Sequence, residues 1–215
     1  MNKQIQALYG LKWNPFSPEA PVQALRTTAP IDSFVWRVEQ LVRDGGFALI
    51  TGEPGYGKTA AMRLLESRLA QLPDLHVGAL TRPQSRLPDF YREIGDIFGV
   101  ALSPHNRWAG TRVLRECWQH HVEHSLLRPV LLCDEAQEMP PAVLNELRLL
   151  SATRLDSRIL LTCVLAGDAR LTEKLRSPEL LPLASRIRAR LAIDAASAEK
   201  LRECLVHSLG AAGNA

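Results

Sequence analysis

The stretch FALITGEPGYGKTAAMRLL, residues 47–65, joins an apolar run to a helix-compatible segment through a glycine-rich turn. Gly52-Glu53-Pro54-Gly55-Tyr56-Gly57-Lys58-Thr59 matches G-x-x-x-x-G-K-[ST]. Glycines let a backbone wrap a phosphate and aim several N–H groups at it. The helix that follows, opening at Lys58-Thr59-Ala60, puts its positive end on the same anion. Lys58 is expected to contact the β- and γ-phosphates, and the Thr59 hydroxyl to ligate Mg²⁺.

Outward from this turn, short apolar runs alternate with helical patterns. Strands are expected at Phe47–Thr51, His76–Thr81, Val130–Asp134, Ile159–Ala166 and Arg190–Asp194. Helices are expected at 31–43 and at roughly 58–72, 89–98, 107–127, 140–150 and 168–185. Such alternation means a parallel sheet covered by helices on both faces, an α/β fold. "DGG" at 44–46 suits the stop of the helix before the first strand. Residues 1–30 are proline-rich and carry Tyr9, Trp13 and Phe16, which points to an irregular strap laid over the domain.

PVLLCDEAQ, residues 129–137, is the second half of the site. Asp134 falls at the carboxyl end of a buried strand, the edge where open α/β sheets bind ligands. It is expected to hold Mg²⁺ through water, and Glu135 to polarise the water that attacks the γ-phosphate. That glutamate favours hydrolysis over transfer to a small molecule, since many P-loop kinases lack it. Asp168, at the end of ILLTCVLAGDARL (159–171), is a candidate γ-phosphate sensor and equally a helix N-cap. LASRIRARLAI (183–193) places Arg186, Arg188 and Arg190 before the last strand. Arg186 is a candidate arginine finger for a neighbouring subunit's nucleotide.

The 215 residues suffice for one domain with a substantial core. At 46% hydrophobic and 23% charged, the composition is that of an ordinary globule. No apolar run approaches the ~18 residues of a membrane span, and MNKQIQALYG has no signal-peptide core, so a cytoplasmic location without membrane partners is expected. Cys117, Cys133, Cys163 and Cys204 form no CxxC pair and read as reduced core residues. The net charge of +3 is mild. His120 and His124 are one helical turn apart, but no recognisable zinc pattern accompanies them; Leu114, Trp118, Val122 and Ser125 read as the buried stripe of that helix.

The order GEPGYGKT, LLCDEAQ, LAGDARL, LASRIRARL resembles AAA+ ATPases of the ExeA-like group. The likeness extends to YGLKWNPFSP, TRPQSRLPDFYREIGDIFGV and NELRLLS, and so to nearly the whole chain. It implies a P-loop NTPase of the AAA+/ASCE class, a three-layer sandwich with a five-stranded parallel sheet. By the same resemblance, Gly52, Gly55, Gly57, Lys58 and Thr59 are the Walker A site, and Asp134 and Glu135 are Walker B. Asp168 takes the sensor 1 position, where the group often has a neutral polar residue, and Arg186 the finger position. A carboxylate at sensor 1 would repel a γ-phosphate unless Mg²⁺, an arginine or a proton compensates it. Asn14 and Phe16 lie where the family packs its strap near the adenine. The implied division is a strap (1–30), a nucleotide-binding core (31–194) and a truncated C-terminal helical lid (195–215), of which SAEKLRECLVHSLGAAGNA resembles the first helix.

The group contains secretion-pathway ATPases and helper ATPases of transposons resembling TnsC, TniB and MuB. The first expectation is a helper that uses ATP and Mg²⁺ to assemble a homo-oligomeric ring or filament on duplex DNA, without sequence preference, and so guides a transposase to its target. Arg82, Arg86, Arg107, Arg112 and Arg115 are its candidate phosphate contacts, though each reads more readily as part of a solvated helix face, and Trp108 is readable as a base-stacking side chain but more readily as a core residue. The alternatives are a secretion or envelope ATPase, ranked second for want of a membrane segment, and an ATP-binding partner module with little hydrolysis of its own.

Overall fold

The computed structural model describes residues 3–100, 107–125, 127–153 and 158–213. A short helix, α1 (Lys3–Leu8), and a 3-10 turn at Val22–Ala24 interrupt the N-terminal strap, which was expected to be irregular throughout. Helix α2 (Ala29–Asp44) starts on Ala29-Pro30, with Asp32 in its first turn, and ends at Gly45 with φ 76°. Then come β1 (Gly46–Gly52), α3 (Lys58–Leu69), β2 (Leu75–Leu80), α4 (Leu87–Phe98) and α5 (Arg107–His120), the last continued by a π-helical turn at His121–Ser125. β3 (Arg128–Cys133) leads through a 3-10 turn, Ala136–Glu138, into α6 (Pro141–Ser151). The remaining elements are β4 (Ala152–Thr153), β5 (Arg158–Ile159), β6 (Thr162–Gly167), α7 (Ala169–Arg176), α8 (Leu181–Ala184), β7 (Ile187–Ile193) and α9 (Ala198–Ala212).

The main sheet has five parallel strands in the order β2-β3-β6-β1-β7. Its three inner strands are buried almost throughout, as continuous apolar runs with helices on both faces must be. Side chains alternate between the two faces. Ala48, Ile50, Val130, Leu132, Val164 and Ala166 pack with Phe34, Val38 and Leu41 of α2 and Ala61, Met62 and Leu65 of α3. Phe47, Leu49, Leu131, Cys133, Cys163 and Leu165 pack against α4 to α8. The result is the expected three-layer α/β sandwich.

Three expected boundaries change. The run at 159–166 is split: Ile159 pairs antiparallel with Ala152 in a separate two-stranded sheet, and the main-sheet strand starts at Thr162. The expected helix at 168–185 is two, because Pro178 follows Ser177, which takes an extended conformation and ends α7. The last strand starts at Ile187, three residues earlier than expected, so only Arg186 precedes it. Arg188 and Arg190 lie within β7 on its exposed side, alternating with buried Ile187, Ala189 and Leu191. A half-buried edge strand with charges on its open face does not stand out as an apolar run.

Helix α9 closes the chain against the strap. Its N-cap is Ser197, whose hydroxyl accepts from the Lys200 N–H at 3.3 Å. Arg26 forms an ion pair with Glu203 and donates to the Lys200 carbonyl at 3.3 Å, and the Lys12 N–H donates to the Ala212 carbonyl at 2.7 Å. Arg63 of α3 donates to the carbonyls of Pro18 and Ala20 at 2.8 and 2.7 Å, pinning the strap to the helix that leaves the glycine-rich turn.

Candidate nucleotide site

Gly52 ends β1, Asp134 follows the end of β3 and Asp168 follows the end of β6. Because β1, β6 and β3 are adjacent and parallel, these termini meet at one edge of the sheet. The loop from Glu53 to Gly57 is exposed, with Gly55 at φ 83° and Gly57 at φ 100°. A side chain at either position would meet open space, so backbone conformation is what requires glycine there.

Lys58 begins α3 and is 5% exposed, its Nζ donating to the Glu53 carbonyl at 3.3 Å. Thr59 Oγ1 donates to Asp134 Oδ2 at 2.7 Å. A hydroxyl and a carboxylate in this relationship fit a shared divalent cation. The left-handed loop, the start of α3 and a buried ammonium fit a polyphosphate. Ala60 stands in the first turn of α3, partly buried. Asn14 Oδ1 accepts from the Phe16 N–H at 3.1 Å, and the Phe16 ring is exposed.

Glu135 is exposed and occupies the left-handed region, φ 51° and ψ 37°, alone among the described non-glycine residues. Backbone strain of this kind clusters at functional sites. The adjacent Gln137, unassigned in the sequence, turns back into the core and donates to the Glu135 carboxylate.

Asp168 is the N-cap of α7: its Oδ1 accepts from the Arg170 N–H at 2.9 Å. Arg170 also clasps the carboxylate through Nε and Nη2, at 3.0 and 2.8 Å to Oδ2, and reaches Glu138 at 2.9 Å. Hydrogen bonds from the Arg170 guanidinium hold the Asp168 carboxyl below the usual range. Burial opposes this, and the Arg170 N–H and the charges of Arg170 and Lys58 add to the lowering. Of the compensations expected for a carboxylate here, the arginine is present, and it is Arg170. Nothing in the sequence pattern singles it out except its place two residues past the cap.

Arg186 lies at the other end of the sheet. Ile187, its neighbour, pairs with Phe47 at the start of β1, five residues before Gly52 and so roughly 16 Å along the strand. Its Nη1 donates to the Arg148 carbonyl at 3.3 Å, at the C-terminal end of α6. The P-loop of the same subunit is therefore remote from this side chain.

The arginines proposed for DNA are not alike. Arg82 and Arg86 are exposed in the segment between β2 and α4. Arg112 pairs with Glu116 at 3.5 Å, and Arg115 donates to the Leu149 carbonyl at the end of α6, so these two are engaged within the fold. The side chains of Arg107 and Trp108 lie outside the described residues. Leu114 and Trp118 are fully buried as expected, Val122 is only partly so, and the side chain of Ser125 lies outside the described residues. The exposed rings of His120 and His124 stack at 4.5 Å. Among the described residues no group of three or more His, Cys, Asp or Glu is placed to hold a metal ion, and no helix is long and apolar enough to cross a membrane. All four cysteines are free, but Cys133 and Cys163 alone lie in the core as expected; Cys117 and Cys204 are half-buried.

A family model described as AAA domain matches residues 42–175, from the end of α2 to α7. General secretion pathway protein A of Aeromonas hydrophila is 39% identical over 150 residues, covering 68% of this chain and 26% of that protein. The chain thus spans about a quarter of that relative's length. Among solved structures, Cdc6p from Pyrobaculum aerophilum superposes over 92% of this chain and 53% of its own, with TM-score 0.71 and 14% identity. The Aeropyrum pernix ORC1 protein, solved in complex with DNA, covers 91% of this chain and 53% of its own, with TM-score 0.59 and 20% identity. At those identities the likeness is one of fold. The family model spans most of the chain, and the site it encloses has the geometry just described: this chain belongs to the AAA domain family of P-loop ATPases.

Proposed function

We propose that this chain is the ATP-hydrolysing module of a secretion-pathway ATPase similar to General secretion pathway protein A, acting as a homo-oligomer. The observation that carries the hydrolytic part is the 2.7 Å contact between Thr59 and Asp134, beside a buried Lys58 and next to Glu135. The 39% identity to the Aeromonas relative supports the secretion reading over the transposition one.

Bound MgATP supplies the phosphoanhydride and the charge that draws the phosphates into the loop. The backbone N–H groups of the P-loop and of the first turn of α3 bind and orient those phosphates, helped by the Lys58 ammonium. Thr59 Oγ1 and Asp134 would hold the cation, whose charge would stabilise the phosphate oxygens. The Glu135 carboxylate accepts a proton from the attacking water. Asp168, neutralised by Arg170, holds the end of β6 beside this loop without presenting an uncompensated charge. Arg186, remote from its own P-loop, serves the nucleotide of the adjacent subunit, where a guanidinium stabilises charge on the transferring phosphoryl group. Asn14 and Phe16 keep their proposed place near the adenine, since Arg63 ties their segment to α3.

The second reading, a transposition helper on duplex DNA, retains Arg82 and Arg86 as exposed candidate contacts. Phosphate release measured against protein concentration, with and without random-sequence duplex at two salt concentrations, separates the two. The secretion module should show cooperative concentration dependence that DNA leaves unchanged. Strong stimulation by DNA that collapses with salt would establish the helper instead. No hydrolysis at any concentration would support a nucleotide-binding partner module.

A further inference from the structure

Gln137 is 3% exposed and sits between two parts of the site. Its Nε2 donates to Glu135 Oε2, and its Oε1 accepts from the Asp168 N–H at 3.3 Å. The partners dictate the orientation of the amide, because a carboxylate only accepts and a backbone N–H only donates. The main chain is anchored too: Lys174 Nζ donates to the carbonyls of Gln137 and Met139, the latter at 3.1 Å. Room for the amide comes from Gly167, where an added methyl would lie 2.7 Å from Gln137 Oε1. The buried amide therefore joins the loop after β3 to the end of β6.

Glu135, in contrast, is exposed on a short turn. A carboxylate in that setting samples several rotamers in water, and a base must be held within hydrogen-bond reach of the proton it takes. We infer that Gln137 is the positioning residue for Glu135, fixing its carboxylate by a hydrogen bond referenced to the backbone at Asp168. The inference rests on the reading of Glu135 as the hydrolytic base. In the reaction ATP and water give ADP and phosphate; Glu135 takes the water proton, and Gln137 exchanges none.

Two substitutions test it. Gln137→Met keeps the volume and removes the amide. Gln137→Glu keeps the acceptor for the Asp168 N–H but sets a second carboxylate against Glu135, and it carries the test if the methionine variant fails to fold. Steady-state phosphate release and ATP binding by calorimetry are measured for each, alone and combined with Glu135→Gln. The expected result is a kcat lower by about 10-fold or more with ATP Kd changed by less than about twofold. No further loss is expected in the Glu135→Gln background, since the two residues act as a unit. Wild-type kcat in the Gln137 variants, or losses that multiply in the double variant, would overturn the proposal while leaving Glu135 in its role. Normal turnover by Glu135→Gln alone would remove the base, and the positioning residue with it.

Discussion

The Thr59 hydroxyl and the Asp134 carboxylate, 75 residues apart in the chain, lie 2.7 Å from one another across the mouth of the P-loop. One belongs to the helix leaving β1 and the other to the turn leaving β3, and β6 lies between those strands. Thr59→Val preserves shape and removes the hydroxyl. ATP affinity of that variant in Mg²⁺ should fall to the value measured in EDTA, by calorimetry in both buffers. An undiminished response to Mg²⁺ would take Thr59 out of the cation site.

Lys58→Ala removes the buried ammonium at the same mouth. ATP binding should weaken by about 30-fold or more, about 2 kcal/mol, as for truncation of one member of a desolvated charge pair. Circular dichroism should show an unchanged fold, because among the described residues the ammonium hydrogen-bonds only a loop carbonyl, that of Glu53.

The left-handed backbone of Glu135 predicts opposite effects on stability and activity. Glu135→Gly should melt at or above the wild-type temperature and hydrolyse no ATP. Glu135→Val, equally inactive, should be less stable than the glycine variant by about 1–3 kcal/mol, the range for a bulky residue held at positive φ. Equal melting temperatures would mean that the backbone at Glu135 carries no strain.

Asp168 makes stability depend on pH. Its folded carboxyl titrates below the usual range because Arg170 hydrogen-bonds to it. Between the folded and unfolded values the unfolded chain binds more protons, so stability rises with pH through that window. The contribution is complete above the ordinary carboxylate value of about 4 and is lost as pH falls through the folded value. Arg170→Ala should therefore melt below wild type at neutral pH, with the two curves converging in acid. A constant difference at all pH values would assign the effect to packing.

Arg186 donates to the Arg148 carbonyl in the last turn of α6, roughly 16 Å along β1 from the P-loop of its own chain. Arg186→Ala should leave ATP affinity unchanged and abolish the concentration-dependent part of hydrolysis. Mixing it with a Lys58→Ala subunit should restore part of that activity, because each variant lacks a different half of the proposed composite site.

Much of this fold was legible because its signals are local. The glycines and Lys58-Thr59 of the P-loop, the apolar runs of β1 and β3, and the acids that close β3 declare themselves within a few residues. The signals that failed were those a neighbour supplies. β7 is half-exposed and carries Arg188 and Arg190 on its open face, so it lacks the apolar run that marks an inner strand. Arg115 is an expected DNA contact, and only the fold shows that the end of α6 also offers it the Leu149 carbonyl.

Gln137 and Arg170 mark the same boundary at the site. Residue type and spacing were enough to propose Lys58, Thr59, Asp134 and Glu135, because the order strand, turn and helix dictates which groups can face a phosphate. Glutamine and arginine are common surface residues, and no pattern along the chain distinguishes one that turns inward. Their contacts follow from the adjacency of β3 and β6, which sets the turn after β3 beside the N-terminus of α7 and lets Gln137 and Arg170 each bridge the two.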